Sequence, residues 1–180
     1  MQINHSHLLI DSCCLLNLCA SGELLNILQV ISISAQATIV EEVKRELLEI
    51  ENIEQFEDAI KQGLLSIVDF ESDAEQTAFV NYTVDIDDGE AATGAIAINR
   101  NWAIATDDKK ATKFLSQESP SLQIISTLEI IKHWSKTVNI EPSKLSNVLN
   151  DIRVKARYYP HKNHLLKSWW ETVINNPYNP

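Results

Sequence analysis

The sequence predicts an α/β protein with a three-layer α/β/α arrangement, a central, mostly parallel sheet, and additional C-terminal helices. Three observations lead there. Short apolar runs that read as buried strands alternate with segments of helical spacing, the pattern of parallel sheets with helices on both faces. Only 4 Gly and 5 Pro occur in 180 residues, too few for a turn-dense all-β chain. Hydrophobic residues make up 44% and charged residues 22%, ordinary for a globular chain long enough to bury a core without staples. The domain expected to carry function covers residues 1–127, and a helical extension packed on it covers 128–180.

Leu8-Leu9-Ile10 reads as a buried strand ending in Asp11-Ser12. Leu15, Leu16 and Leu18, then Leu24, Leu25 and Leu28, have helical spacing broken at Ser21-Gly22. Ala37-Thr38-Ile39 fits a second strand. Val40 to Leu48 reads as a helix with Val40, Val43, Leu47 and Leu48 on one face. Ile53 to Gln62 predicts another helix, stopped by Gly63. Leu64 to Phe70 predicts a strand and Ala74 to Tyr82 a helix. Asp87 and Glu90 have capping-box spacing ahead of an Ala-rich segment, so a helix starts there. Trp102 to Thr106 predicts a strand, followed by Asp107-Asp108 and the helix-forming KKATKFL. Leu122 to Ile125 is a last short strand, and Ser126 with Glu129 opens a helix to about Trp134. Glu141 to Ile152 and His161 to Ile174 read as two further helices.

The net charge of -10 speaks against a uniformly basic nucleic-acid binder, but it is unevenly spread. Residues 1–120 hold 21 Asp and Glu against 7 Lys and Arg, while residues 121–180 hold 4 against 8. No apolar run approaches the roughly 18 residues that cross a bilayer, so no membrane partner is expected. The N-terminus has no signal-peptide pattern. Cys13, Cys14 and Cys19 form an odd, local cluster, which fits reduced thiols and a cytoplasmic location.

In parallel sheets ligands bind beyond the carboxyl ends of the strands. Asp11 follows one predicted strand and Asp107-Asp108 follow another. Glu90 opens a helix whose N-terminus belongs at the same edge, and Glu41 and Glu42 open the helix after the second strand. Asp11, Glu42, Glu90 and Asp108 are thereby expected to meet. Clustered carboxylates repel unless a cation or protons neutralise them. A hard divalent ion, Mg²⁺ or Mn²⁺, suits such oxygen donors and keeps waters that meet phosphate.

These residues resemble a known family. LLIDSCCLLNL, TIVEEVKREL, DDGEAATGAIAI and WAIATDDKKATKFL are similar, in order and spacing, to the PIN-domain nucleases over roughly residues 7–127. The resemblance implies a metal-dependent endoribonuclease that hydrolyses RNA phosphodiesters, with Asp11, Glu42, Glu90 and Asp108 as catalytic and metal-binding acids. Glu41 is a one-residue alternative to Glu42, and Asp107 an assisting ligand. Ser12 and Thr106 would support the carboxylates by hydrogen bonds. Lys109, Lys110, Arg153, Lys155 and Arg157 are candidate RNA contacts, with aromatic residues interleaved in the tail. Many PIN proteins are toxins of toxin–antitoxin pairs and many dimerise, so an antitoxin and a second copy are implied partners. The third acid is Glu where Asp is commoner, and about fifty C-terminal residues exceed the compact toxins. A non-catalytic nucleic-acid-binding or regulatory module with the same fold is the alternative.

Other chemistries fit less well. A haloacid-type phosphatase wants Asp where Cys13 stands. A receiver-type phosphorylation domain wants an early Asp pair that is missing. No Cys/His spacing suits zinc, no glycine-rich phosphate loop is present, and His161 and His164 read as a surface pair.

Overall fold

A computed structural model describes residues 2–48 and 54–175. The expected helix start at Ile53 lies outside them. In chain order the elements are β1 (His7–Ile10), α1 (Ser12–Ala20), α2 (Leu24–Ile31), β2 (Gln36–Val40), α3 (Glu41–Leu48), α4 (Glu54–Lys61), β3 (Leu65–Val68), α5 (Asp73–Tyr82), α6 (Asp88–Arg100), β4 (Ala103–Ala105), α7 (Lys109–Glu118), β5 (Ile124–Ile125), α8 (Thr127–Thr137), α9 (Pro142–Lys155) and α10 (Lys167–Ile174).

The five strands form one all-parallel sheet in the order β3-β2-β1-β4-β5. Leu8, Leu9 and Ile10 are completely buried, as are Ala103, Ile104 and Ala105. Side chains alternate between the two sides of a strand, so burial of every residue requires helices on both faces. Helix α6 packs across β1, β2 and β4, flanked by α5 and α7, and α2 packs against β2, α4 and α8. Gly94 lets α6 and α7 approach, since a Cβ there would run into the Leu115 side chain. No helix among the described residues is long and apolar enough to cross a membrane.

Local chemistry sets the boundaries. Gly22 (φ +72°) and Gly63 (φ +70°) adopt the left-handed conformation that ends the helices before them. Asn101 does the same for α6 (φ 54°) and turns the chain into β4. Ser126 caps α8 as the sequence predicts, while Asp108 at α7 and Ser72 at α5 are caps that only the fold reveals, the Ser72 hydroxyl accepting the Glu75 N–H at 3.2 Å.

Three expectations need correction. Val40 belongs to β2, paired with Val68, so α3 begins at Glu41 with no loop between strand and helix. Helix α9 runs beyond Ile152 to Lys155, with Pro142 in its first turn. The last helix begins at Lys167, not His161. Before it, the ring Nδ1 atoms of His161 and His164 accept the N–H groups of Asn163 (3.3 Å) and Leu166 (3.0 Å). These local bonds hold the backbone in turns and compete with helix formation.

Candidate active site

Strand β1 has β2 on one side and β4 on the other, so the chain's direction of travel across the sheet reverses between β1 and β4. That is the position at which open parallel sheets leave a crevice. The Asp11 N–H donates to the Ala105 carbonyl at 2.9 Å, which ties the two strand ends together. Above them lies a cleft of about 980 Å³, lined on its inner side by Asp11, Cys13, Asp87, Glu90, Asp107 and Asp108. Its outer wall comes from the C-terminal extension, through Lys155, Arg157, Tyr158 and Tyr159.

Asp11 is 2% exposed and caps α1. Its Oδ1 accepts the Ser12 N–H at 2.8 Å. Its Oδ2 accepts the Thr106 hydroxyl at 3.0 Å and the Cys13 thiol at 3.1 Å. Burial pushes the carboxyl's pKa up, and the Asp108 charge adds to it against the pull of those hydrogen bonds. The Thr106 hydroxyl also accepts the Asp108 N–H at 3.1 Å, so one side chain positions both acids. Asp108 caps α7, its Oδ1 accepting the Ala111 N–H at 2.8 Å. Glu90, in the first turn of α6, accepts the Asp87 N–H at 3.4 Å. Burial, then the charges of Asp108 and Asp11, push its pKa up to about 7.

Asp107 lines the same cleft but is engaged differently. Its carboxylate accepts the Asn17 amide (3.0 Å), the Thr127 N–H (3.2 Å), the Thr127 hydroxyl, the Cys14 thiol (3.4 Å) and the Tyr158 hydroxyl (3.4 Å). It joins α1, α8 and the C-terminal extension, and its oxygens are already engaged.

The second acid is placed differently from the sequence expectation. Glu42 is not among the residues lining the cleft. One of its oxygens lies 3.5 Å from Arg45, and the other is buried without a hydrogen-bond partner. Glu41 pairs with Lys44 at 3.1 Å. Glu46, one turn further along the same helical face, reaches Ser12 and Gly89 by hydrogen bonds and feels the charges of Asp11 and Asp87. Burial and those charges raise its pKa. A Cβ on Gly89 would collide with the Glu46 carboxylate, so the missing side chain makes room for the acid. Helix α3 follows β2 directly and packs against α1 and α6, and its second turn brings Glu46 to Ser12 and Gly89. The spacing Glu42 to Glu46 was the available signal, masked by a rule that favours first-turn acids. Asp87 also joins the cluster, although the sequence marked it only as a cap.

Of the candidate RNA contacts, Lys155 pairs with Asp151 at 3.0 Å while lining the cleft, and Arg157 lines it from a left-handed backbone (φ 53°). Arg153 donates to the Asn150 side chain. Lys109 and Lys110 are exposed at the start of α7, and Lys109 lines a neighbouring cleft.

Asp11, Glu46, Asp87, Glu90 and Asp108 therefore share one electrostatic neighbourhood, drawn from four separated stretches of chain. Among the described residues no three Asp, Glu, His or Cys side chains form a group that would hold a metal ion by themselves. The donor chemistry nonetheless fits a hard cation: all five are carboxylates, and three have pKa values raised partly by one another. Mg²⁺ is commonly held by one or two carboxylates, its remaining positions filled by water and phosphate, and needs no complete protein cage.

No family model matches the chain, and no curated protein matches it in sequence.

Proposed function

We propose that this chain is a metal-dependent ribonuclease of the PIN-domain kind, hydrolysing phosphodiester bonds of single-stranded or structured RNA in the cleft over β1 and β4. The observation that carries the reading is the convergence of five carboxylates at the switch point, where their charges bear on one another. A structural role alone does not account for them, because the mutual charges raise the pKa values of Asp11, Glu46 and Glu90. Bound Mg²⁺ or Mn²⁺ would supply Lewis-acid polarisation of the phosphodiester and a water activated for attack.

Asp11, Asp108 and Glu90 are the residues assigned to hold the ion, directly or through water, with Glu46 on the α3 side. Thr106 fixes Asp11 and Asp108 relative to each other by its two hydrogen bonds. Glu90, with a pKa of about 7, is able to exchange a proton near neutral pH. Asp107 is assigned a positioning role, holding the extension that forms the outer wall.

The test is cleavage of a labelled single-stranded RNA with Mn²⁺, Mg²⁺ or EDTA, comparing the protein with Asp11→Asn. Cleavage that ignores both EDTA and the substitution overturns the assignment. The second reading is a non-catalytic module of the same fold that binds RNA. Calorimetric titration with Mn²⁺ separates the two, since the module takes up no ion. The toxin role, an antitoxin partner, a homodimer and a cytoplasmic location remain parts of the PIN reading and stand or fall with it.

A further inference from the structure

A second cleft of about 640 Å³ adjoins the acidic one and shares its dividing wall, Asp107, Tyr158 and Tyr159. Its chemistry is the opposite. Lys109 and Lys113 line it one helical turn apart on α7, and His161 and His164 line it from the turns before α10. Among the described residues neither lysine, nor the nearby Lys162, meets a carboxylate in an ion pair. The two acids that line it are both engaged, Asp107 by the Asn17, Thr127 and Tyr158 donors and Glu129 by the Ser126 N–H (2.9 Å) and hydroxyl (2.8 Å).

The histidine rings are oriented as donors. Each Nδ1 accepts a backbone N–H, so the ring proton resides on Nε2, directed away from that bond. Desolvation, then the positive charges of Lys109, Lys162 and Lys167, lower the His161 pKa. Tyr159, 66% exposed, stands between the clefts with its ring edge-on to Trp170 at 5.6 Å. Cationic side chains, fixed N–H donors and an exposed aromatic ring on one path are the means by which proteins hold single strands.

We propose that this second cleft is a holding site for single-stranded RNA: Lys109, Lys113 and the Nε2–H groups of His161 and His164 take its phosphates, and Tyr159 stacks one of its bases. The strand then runs over the tyrosine wall into the acidic cleft. The proposal rests on the nuclease reading for the fate of the strand, not for its binding. The acidic cleft repels a polyanion, so a net charge of -10 needs a local cationic site if RNA is to dwell there.

The experiment is fluorescence anisotropy with a labelled oligouridylate of about 12 nucleotides, in EDTA, over a range of salt. The full chain is compared with Lys109→Glu/Lys113→Glu and with Tyr159→Ala, and thermal melts establish that each variant is folded. The double reversal is expected to weaken binding about tenfold or more and to reduce the salt slope by about 1.4, two contacts at roughly 0.7 each. Tyr159→Ala is expected to weaken binding about fivefold or more and leave the slope in place. Absence of binding by the full chain overturns the proposal. So does unchanged affinity in both folded variants, and so does equally tight binding of double-stranded DNA that ignores Tyr159, the behaviour of a general polyanion patch. Adding Mn²⁺ to the same oligonucleotide reads the nuclease assignment separately. Binding with this variant pattern but without cleavage removes the nuclease and keeps the holding site; cleavage with variant-insensitive binding does the reverse.

Discussion

Replacing Glu90 by Gln tests the central electrostatic claim without reference to catalysis. The side-chain amide keeps an oxygen able to accept the Asp87 N–H but removes the charge. Glu90 has a pKa of about 7 in the folded protein against an ordinary value of 4.5. A raised acid favours the folded state while protonated, and the unfolded chain ionises first as pH rises. Wild-type stability is thus lost between pH 4.5 and about 7, and the loss is complete above that. At about 1.36 kcal/mol per pH unit the difference amounts to about 3.4 kcal/mol. Glu90 is partly exposed, and solvent screening reduces this to about 2 kcal/mol. Urea denaturation at pH 4 and pH 8 measures it. Wild type should lose about 2 kcal/mol more than Glu90→Gln between the two values. The two proteins share the remaining titrating groups, so their difference isolates this one, together with its coupling to Asp11 and Asp108. Equal losses in both proteins would refute the reasoning.

Mn²⁺ binding to the cluster should raise the wild-type melting temperature at pH 8 through mass action, and Asp11→Asn should lose most of that gain. Melting curves with Mn²⁺ and with EDTA report it. Asp107 and Asp108 should separate by their effects. Asp107→Ala strands the Asn17, Thr127 and Tyr158 donors and should cost about 3 kcal/mol in urea, whereas Asp108→Ala removes one helix cap and should cost about 1 kcal/mol while abolishing RNA cleavage. Gly89→Ala should displace the Glu46 carboxylate, the end of a flexible side chain, and suppress cleavage at little or no cost in stability. Cleavage rates and melts on the same sample check it.

The parts of this arrangement that were legible in the sequence are those set by nearby residues. The fully apolar runs before Asp11 and Thr106 mark strands buried on both faces, so their ends mark the sheet edge. The capping pairs Asp87–Glu90 and Ser126–Glu129 locate two helix starts. What could not be read depends on packing between distant segments. Glu46 faces the cluster because α3 packs against α1 and α6, contacts that the Glu42-to-Glu46 spacing hints at but does not decide. Asp107 and Asp108 are chemically identical neighbours. Only the positions of Thr127 and Tyr158, 20 and 51 residues away from Asp107, turn one of them into a structural junction. The six residues before α10 carried enough helical spacing to mislead, and histidine side-chain bonds to the backbone overrode it.

The placement of the acids carries its own argument about selection. Asp11, Glu90 and Asp108 each stand at a helix start, where the macrodipole contributes roughly 0.3–1 kcal/mol to a carboxylate. Such a benefit needs no convergence: acids spread over separate helix ends would gain it without repelling one another. Here the helix ends are brought to one crevice, a buried Asp11 is held by two side-chain donors, and Glu90 is pushed to about 7. Helix capping accounts for the position of each acid along its own segment, but the charge repulsion among them opposes folding. The structural rule therefore explains the parts and leaves the assembly unexplained. A cation bound among the carboxylates would supply the missing term, which is why the Mn²⁺ melts and the Glu90→Gln titration must agree: the ion should restore at pH 8 stability that the amide restores by removing the charge.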